Sequence, residues 1–279
     1  MATLFLVSTP IGNLEDVTPR ALRVLGEATL VLAEDTRRTR VLLERHGVTA
    51  SPVSLHSHNE AARVEKVLAT LDAGGDVALV SDAGTPLVSD PGERLVAAVL
   101  DASHEVVPIP GASAVLAALA GSGLPAERFS FLGFLPRRAG ERDALLASYV
   151  DRPETLLLFE SPKRLAATLR TLAQALGDRP ACVARELTKL HEEFVRGSLT
   201  ELGERFADGT RGEVTLVVGG APPPAEVTDA ALDAEIRAAL AEASVPSREL
   251  AAQLARQLGV PRRRAYNRIV ALREPDSEG

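Results

Sequence analysis

The stretch "LVSDAGTPLVSDPG", residues 79–92, decides how the chain is read. An apolar run, Val77 to Val80, ends abruptly in a loop with two Gly, two Pro and two Asp. Strand-to-loop junctions of this kind usually cradle phosphate, through backbone N–H groups and a nearby Lys. Here the first basic residue is Arg94, and the loop carries Asp82 and Asp90 instead. Asp90, followed by Pro91, reads as the N-cap of the next helix. Asp82, at the carboxyl end of a strand, reads as a ligand-facing group.

Outward from that loop, β-rich runs alternate with helix-period segments. "TLFLVS" (3–8), "TLVLAE" (29–34), "VSLHS" (53–57), "VALVS" (77–81) and "VVPIP" (106–110) read as strands. Segments near 18–26, 36–46, 60–73, 91–102 and 112–120 read as helices, several opening at Thr, Pro or Asn. Strict βα alternation predicts a mostly parallel sheet with helices on both faces, and ligands bind outside the carboxyl ends of such strands. The loops at 8–13, 34–37, 81–86 and 110–113 all fall on that edge.

The second half differs. "FSFLGFLP" (129–136), "TLLLFES" (155–161), "CVARELT" (182–188), "EEFVRGSLT" (192–200) and "EVTLVVGG" (213–220) are strand-like, with helices near 140–149, 162–176 and 201–207. Adjacent strands without crossover helices predict a mixed or largely antiparallel sheet. "GGAPPPAE" (219–226) is a linker by composition, followed by helical segments near 229–242, 247–257 and 259–273. The expected organisation is an α/β domain over 1–122, a second over 123–220, and a linker with a helical domain over 221–279.

Composition narrows the function. The chain has 279 residues, 46% of them hydrophobic, and no apolar run approaches the roughly 20 residues of a membrane span. The opening "MATLFLVSTP" lacks a basic n-region and reads as a strand, so no signal peptide is expected. The single Cys182 excludes a disulfide framework and fits a reducing cytoplasm. With no Trp and 3% aromatics, a stacking platform for single-stranded nucleic acid is disfavoured. Net charge is −7, but residues 246–273 carry seven Arg against one Glu. That basic stretch has the form of a helix-turn-helix and points to contact with an RNA backbone, although short helical hairpins also serve as packing caps.

The first loop, "VSTPIGN", has one glycine where a dinucleotide fingerprint needs three, and no P-loop exists anywhere. Carboxylate plus backbone groups suit a ligand with hydroxyls and positive charge, as S-adenosylmethionine has. "PIPGASAVLAAL" (108–119) repeats the strand–turn–helix logic, with Ser113 as a helix cap and small residues that admit a flat group. His56 and His58 share a strand face, but no Cys or third His completes a metal site, so no metal is expected. "FESPKR" and "ARELTKLHEE" are charge-dense just after strong strands, as a solvated rim is, or as groups gripping an anionic substrate are.

These residues together resemble the ribosomal RNA small subunit methyltransferase I family, the cytidine 2′-O-methyltransferase branch of the tetrapyrrole-methylase (class III methyltransferase) fold. The resemblance runs from about residue 3 to 272, through "LVSTPIGNLEDVTPRAL", "AEDTRRTRVLL", "LHSHNE", "LVSDAGTPLVSDPG", "PIPGASA", "FLGFLPR", "FESPKR", "ARELTKLHEE" and "GEVTLVV". It implies two α/β domains with a small helical extension, a homodimer, and S-adenosylmethionine as methyl donor. The implied acceptor is the ribose of a cytidine in the decoding region of 16S rRNA, in the 30S subunit. The matching positions for the donor are Pro10, Asp82, Gly84, Thr85, Ser113, Ala114, Phe159, Leu187 and Val214. Lys163 stands where a His is expected in "ESPHR", so no imidazole role carries over there. For the group that handles the acceptor proton or its developing alkoxide, Asp35, Arg37, Lys163, Arg185 and Glu186 are the candidates. A porphyrinoid methylase on the same scaffold and a ligand-sensing helix-turn-helix regulator are the rival readings.

Overall fold

The structure is a computed structural model and describes residues 2–55, 60–223, 227–242 and 245–273. Five strands, β1 (Thr3–Val7), β2 (Leu30–Ala33), β3 (Val53–Ser54), β4 (Val77–Val80) and β5 (Glu105–Ile109), form one sheet. Their order is β3-β2-β4-β1-β5 and every pair is parallel. Strands β2 and β4 are buried along their whole length, as the unbroken apolar runs of an interior parallel strand require. Pro108 sits in β5, an edge strand, where its missing N–H does no harm.

Helices α1 (Pro19–Glu27), α2 (Thr36–Arg45), α3 (Glu60–Asp72) and α4 (Glu93–Asp101) cover both faces. Val67 and Leu71 of α3 and Leu95 and Val99 of α4 pack on Leu4, Leu30, Leu32, Val77 and Leu79. On the other face Ala21, Val24 and Leu25 of α1 meet Val7, Val31, Ala78 and Val80. Local rules place the starts well: Thr18 caps α1, with Pro19 in the first turn, and Asp35 caps α2.

The second sheet holds β6 (Phe129–Phe134), β7 (Thr155–Glu160), β8 (Pro180–Arg185), β9 (Glu193–Ser198) and β10 (Val214–Val218), in the order β6-β7-β10-β8-β9. Only β6 and β7 run parallel, so the mixed, largely antiparallel expectation holds. Period-two alternation sorts its side chains. Leu156, Leu158, Val183, Leu216 and Val218 face α7 (Leu165–Leu176) and α8 (Leu199–Arg205), while α6 (Ala139–Ala147) adds Leu146 to that core. Leu157, Cys182, Ala184 and Val217 face the other way, against Val115, Ala118 and Leu119 of α5 (Ala114–Ser122).

The expected boundary at residue 122 falls at the end of α5. α5 ends the first βα series in sequence yet lies on β7, β8, β9 and β10. Both sheets fall in one compact unit, Met1–Ala221, and Pro222–Gly279 forms another. Among the described residues no helix is long and apolar enough to cross a membrane.

The second unit is three helices, α9 (Asp229–Glu242), α10 (Ser247–Leu258) and α11 (Arg262–Arg273), around Leu232, Ile236, Leu250, Leu254, Val260 and Ile269. Gly259, left-handed at φ 65°, ends α10 and makes the turn. The basic excess read from 246–273 is offset within this unit: residues 222–279 hold eight Arg and nine Asp or Glu. Arg264 bonds Asp229 of α9 at 2.7 Å, and Arg268 grips the half-buried side of α9 through Asp233. Arg248 and Arg263 are exposed and carry no ion pair among the described residues.

Candidate active site

Two adjoining recesses open at the carboxyl ends of β1, β2 and β4. The larger, about 380 Å³, is lined by Ile11, Gly84, Thr85, Asp90, Ser113, Ala114, Phe159, Leu187 and Val214, among others. The smaller, about 330 Å³, takes in Pro10, Gly12, Arg38, Asp82 and Lys189. Ile11, Ala83 and Glu213 line both. The nine positions assigned to the donor thus all reach a wall, seven in the larger recess and Pro10 and Asp82 in the smaller. Ser113 caps α5 by accepting the Leu116 N–H at 3.4 Å, and Phe159 sits edge-on to Phe131 at 4.9 Å between ring centres.

The loop after β4 is tied down rather than open. Thr9 and Gly84 exchange both backbone hydrogen bonds, at 2.9 and 3.0 Å, so the Gly84 amide is not free for a ligand. Gly84, at φ 77°, contributes its bare Cα to the wall. Beyond it the chain twists through Leu87 (φ 74°) and Ser89 (φ 70°), both non-glycine residues in the left-handed region. Each such residue costs about 1–3 kcal/mol and persists where the surroundings hold it, often at functional sites.

That twist changes the role of Asp90. Helix α4 starts at Glu93 behind Gly92, which offers no side-chain cap. The N–H of Leu95 is instead accepted at 3.1 Å by Glu60, which is buried on α3. Asp90 is therefore not the N-cap that the Asp-Pro pair suggests; it lines the larger recess. Burial and the neighbouring Glu34 push its carboxyl up to about 6, against a hydrogen bond from Ser81. Glu34 is also raised, first by burial and then by Asp82, and among the described residues its buried Oε2 has no hydrogen-bond partner. Asp82 accepts the Asp35 N–H at 2.8 Å and lies 3.6 Å from Arg38.

None of the five residues proposed for the acceptor chemistry lines either recess. Asp35 caps α2 and is held bidentately by the exposed Arg37, which with the Arg37 amide keeps its carboxyl well below the usual range. Lys163 is exposed. Arg185 is engaged by Glu193 at 2.8 Å and the Arg211 carbonyl at 3.1 Å. Glu186, at φ 52°, accepts Lys189 Nζ and the Glu213 N–H, both at 2.9 Å, and these hold its carboxyl low. Its contribution to the recess is indirect, through Lys189.

Lys189 is a wall residue the sequence did not single out. Gly12 lets it in: a Cβ on Gly12 would lie 2.6 Å from Lys189 Cγ and 2.8 Å from Thr188 Oγ1. Arg38 and Glu213 were missed as well, because each reads as one charge in a charged run. Among the described residues no group of three or more His, Cys, Asp or Glu could hold a metal ion. His56 and His58 lie outside the described residues.

The donor set has the chemistry a sulfonium nucleoside requires. Ile11, Val115, Phe159, Leu187 and Val214 offer apolar surface for a base, and Asp82 offers negative charge to a cation. Residues 3–203 match the sequence model of the tetrapyrrole (corrin/porphyrin) methylases, so fold and cleft together define a methylase of that class. A uroporphyrin-III C-methyl transferase from Thermus thermophilus, solved with S-adenosylhomocysteine, superposes with a TM-score of 0.57 at 21% identity, covering 78% of this chain and 97% of that one. The methyltransferase CobJ superposes at 0.60 and 20%, covering 79% and 95%.

Sequence relatives are nearer. A ribosomal RNA small subunit methyltransferase I from Mesorhizobium japonicum is 45% identical, across 99% of this chain and 94% of its own. Its namesake in Mycobacterium bovis is 50% identical across 81% and 80%. The chain belongs to the ribosomal RNA small subunit methyltransferase I family.

Proposed function

We propose that this protein is an S-adenosylmethionine-dependent ribosomal RNA methyltransferase that methylates the ribose 2′-oxygen of a cytidine in the decoding region of 16S rRNA. The acceptor is the 30S subunit, the enzyme acts as a homodimer, and the reaction takes place in the cytoplasm. The observation that carries the reading is near-full-length similarity, at 45% identity, to a protein named for ribosomal RNA methylation. The recess wall contains every position matched to the donor, which supports it further. Exposed Leu116 on α5 and Phe134 on β6 are apolar surface that a second copy would cover.

When bound, the donor supplies an activated methyl group on a cationic sulfur. The chain supplies the rest. Ser113 and Ala114 at the start of α5, with Phe159, Leu187 and Val214, hold the nucleoside, and Asp82 with Pro10 closes the far end. Alignment of an acceptor oxygen with the methyl carbon accounts for most of the acceleration, since orientation is worth about 7–11 kcal/mol. Arg38 and Lys189 set positive charge beside a groove through which an anionic RNA strand enters.

The test is transfer of radiolabelled methyl to 30S particles lacking the modification, followed by nucleoside mapping. The expected product is 2′-O-methylcytidine. A methylated base, or no labelled RNA, refutes the reading. The porphyrinoid alternative predicts an enzyme indifferent to loss of 225–279.

A further inference from the structure

A hydroxyl attacking a methyl group must lose its proton, and none of the groups described so far takes it. We propose that Asp90 accepts the proton of the acceptor hydroxyl. This assignment rests on the reading of the protein as a ribose 2′-O-methyltransferase. The acceptor oxygen bonds to the methyl carbon as the methyl–sulfur bond breaks and its electron pair stays with sulfur. The proton passes to the Asp90 carboxylate and then to water.

Elimination leads there first. Three carboxylates line the larger recess: Asp90, Glu160 and Glu213. Glu160 is 3% exposed and fully used, by the Ser161 N–H at 2.7 Å, the Thr168 hydroxyl at 2.5 Å and Arg164 at 3.5 Å. Glu213 is bound to Lys189 at 3.0 Å. Asp90 meets no cation among the described residues.

The fold also keeps Asp90 available. The helix that should claim it is capped by Glu60 instead. Two left-handed residues, Leu87 and Ser89, turn the chain back so that Asp90 faces the recess. Its charged and polar neighbours favour proton uptake: Glu34 from the end of β2 and Asp82 from the end of β4 are both acidic. Ser81 donates to it, and Arg38 acts on Glu34 and Asp82 from α2. Among the described residues, β7 and the loops beside the second sheet add Glu160 and the Glu213–Lys189 pair. A carboxylate with affinity for a proton near neutrality is an effective base at working pH.

Asp90→Asn and Glu34→Gln, made in the full chain, test the assignment. Wild-type kcat/KM for 30S subunits should rise with pH through about 6. Asp90→Asn should lose that rise and about 10²–10⁴-fold in kcat/KM. Its affinity for S-adenosylmethionine, measured by calorimetry, should be unchanged. Glu34→Gln should stay active with the rise moved to lower pH. A stability readout is independent of turnover. Because the folded-state pKa is raised, the ionised Asp90 opposes folding at high pH. Asp90→Asn should therefore raise the Tm, fully above pH about 6 and fading towards about 4.

Undiminished turnover in Asp90→Asn overturns the assignment. So does a loss of activity matched by a loss of donor affinity, which makes Asp90 a counter-charge to the donor. Wild-type enzyme that leaves 30S RNA unlabelled refutes the functional reading itself, an outcome distinct from a defect confined to the variant.

Discussion

The acidic edge of the first sheet and the charged helical unit treat their ions in opposite ways. At the strand ends Glu34, Asp82 and Asp90 crowd together, and among the described residues Arg38, 3.6 Å from Asp82, is the one cation in ion-pair contact with the three. In the helical unit Asp229 and Asp233 on α9 bind Arg264 and Arg268 on α11, so two of the seven Arg in 246–273 are held in ion pairs. Charge with a partner is architecture; charge held without one, against its own desolvation penalty, is available for chemistry.

The contrast can be broken or sharpened by substitution. The largest effect after Asp90 itself is expected at Asp82. Asp82→Ala removes the acceptor for the Asp35 N–H and the partner of Arg38, and hydrogen bonds to charged groups are worth about 1.5–3 kcal/mol. Donor affinity measured by calorimetry should fall about 10–100-fold. Unaltered affinity would mean that the strand-end acids do not serve the donor.

Gly12→Ala comes next. Its new methyl meets Lys189, Thr188 and the Leu187 carbonyl at 3.0 Å or less, and overpacking of this kind costs about 1–3 kcal/mol. Turnover should drop about tenfold as the 187–189 loop shifts from the recess, with a smaller change in denaturation midpoint. If the loop tolerates the methyl, Lys189 is not pinned as described.

In the helical unit the effects should be smaller and of another kind. Arg263→Ala removes an exposed cation with no ion pair among the described residues, so filter binding to 16S rRNA should weaken a few-fold, with the salt slope reduced by about 1. No change would leave these helices a packing role alone. Asp233→Asn should lower the Tm of that unit by a few degrees at neutral pH and leave donor affinity intact. Arg268 holds the Asp233 carboxyl low. Its stabilisation is therefore present above the unfolded-state value and lost as pH falls through the folded one, so wild type and variant should converge in acid. Opposite signs for Asp90→Asn and Asp233→Asn in thermal melts are the sharpest form of the comparison.

Most of the fold was legible because it follows local rules. Apolar runs bounded by turn residues gave the strands, and the change from βα alternation to adjacent strands gave a parallel sheet followed by a mixed one. Strand ends then pointed to the edge where the recesses open, and the nine positions carried over by resemblance line their walls. Where local reading and packing diverge, the cause is shared. Asp90 was read as a cap because the rule sees Asp-Pro, whereas Glu60, 35 residues from Leu95 in sequence, does the capping. Asp35, Arg185 and Glu186 looked reactive, yet partners from Arg37, Glu193 and Lys189 occupy them.

The sequence by itself determined which elements form, that the first sheet is parallel and which family the chain joins, since these depend on patterns within a few turns or on aligned residues. Tertiary structure alone decided that α5 covers the second sheet, that Gly12 admits Lys189, and that Asp90 is left facing the cleft without a cation. A carboxylate's usefulness depends on its desolvation and on who neutralises it, and both are set by residues far away along the chain.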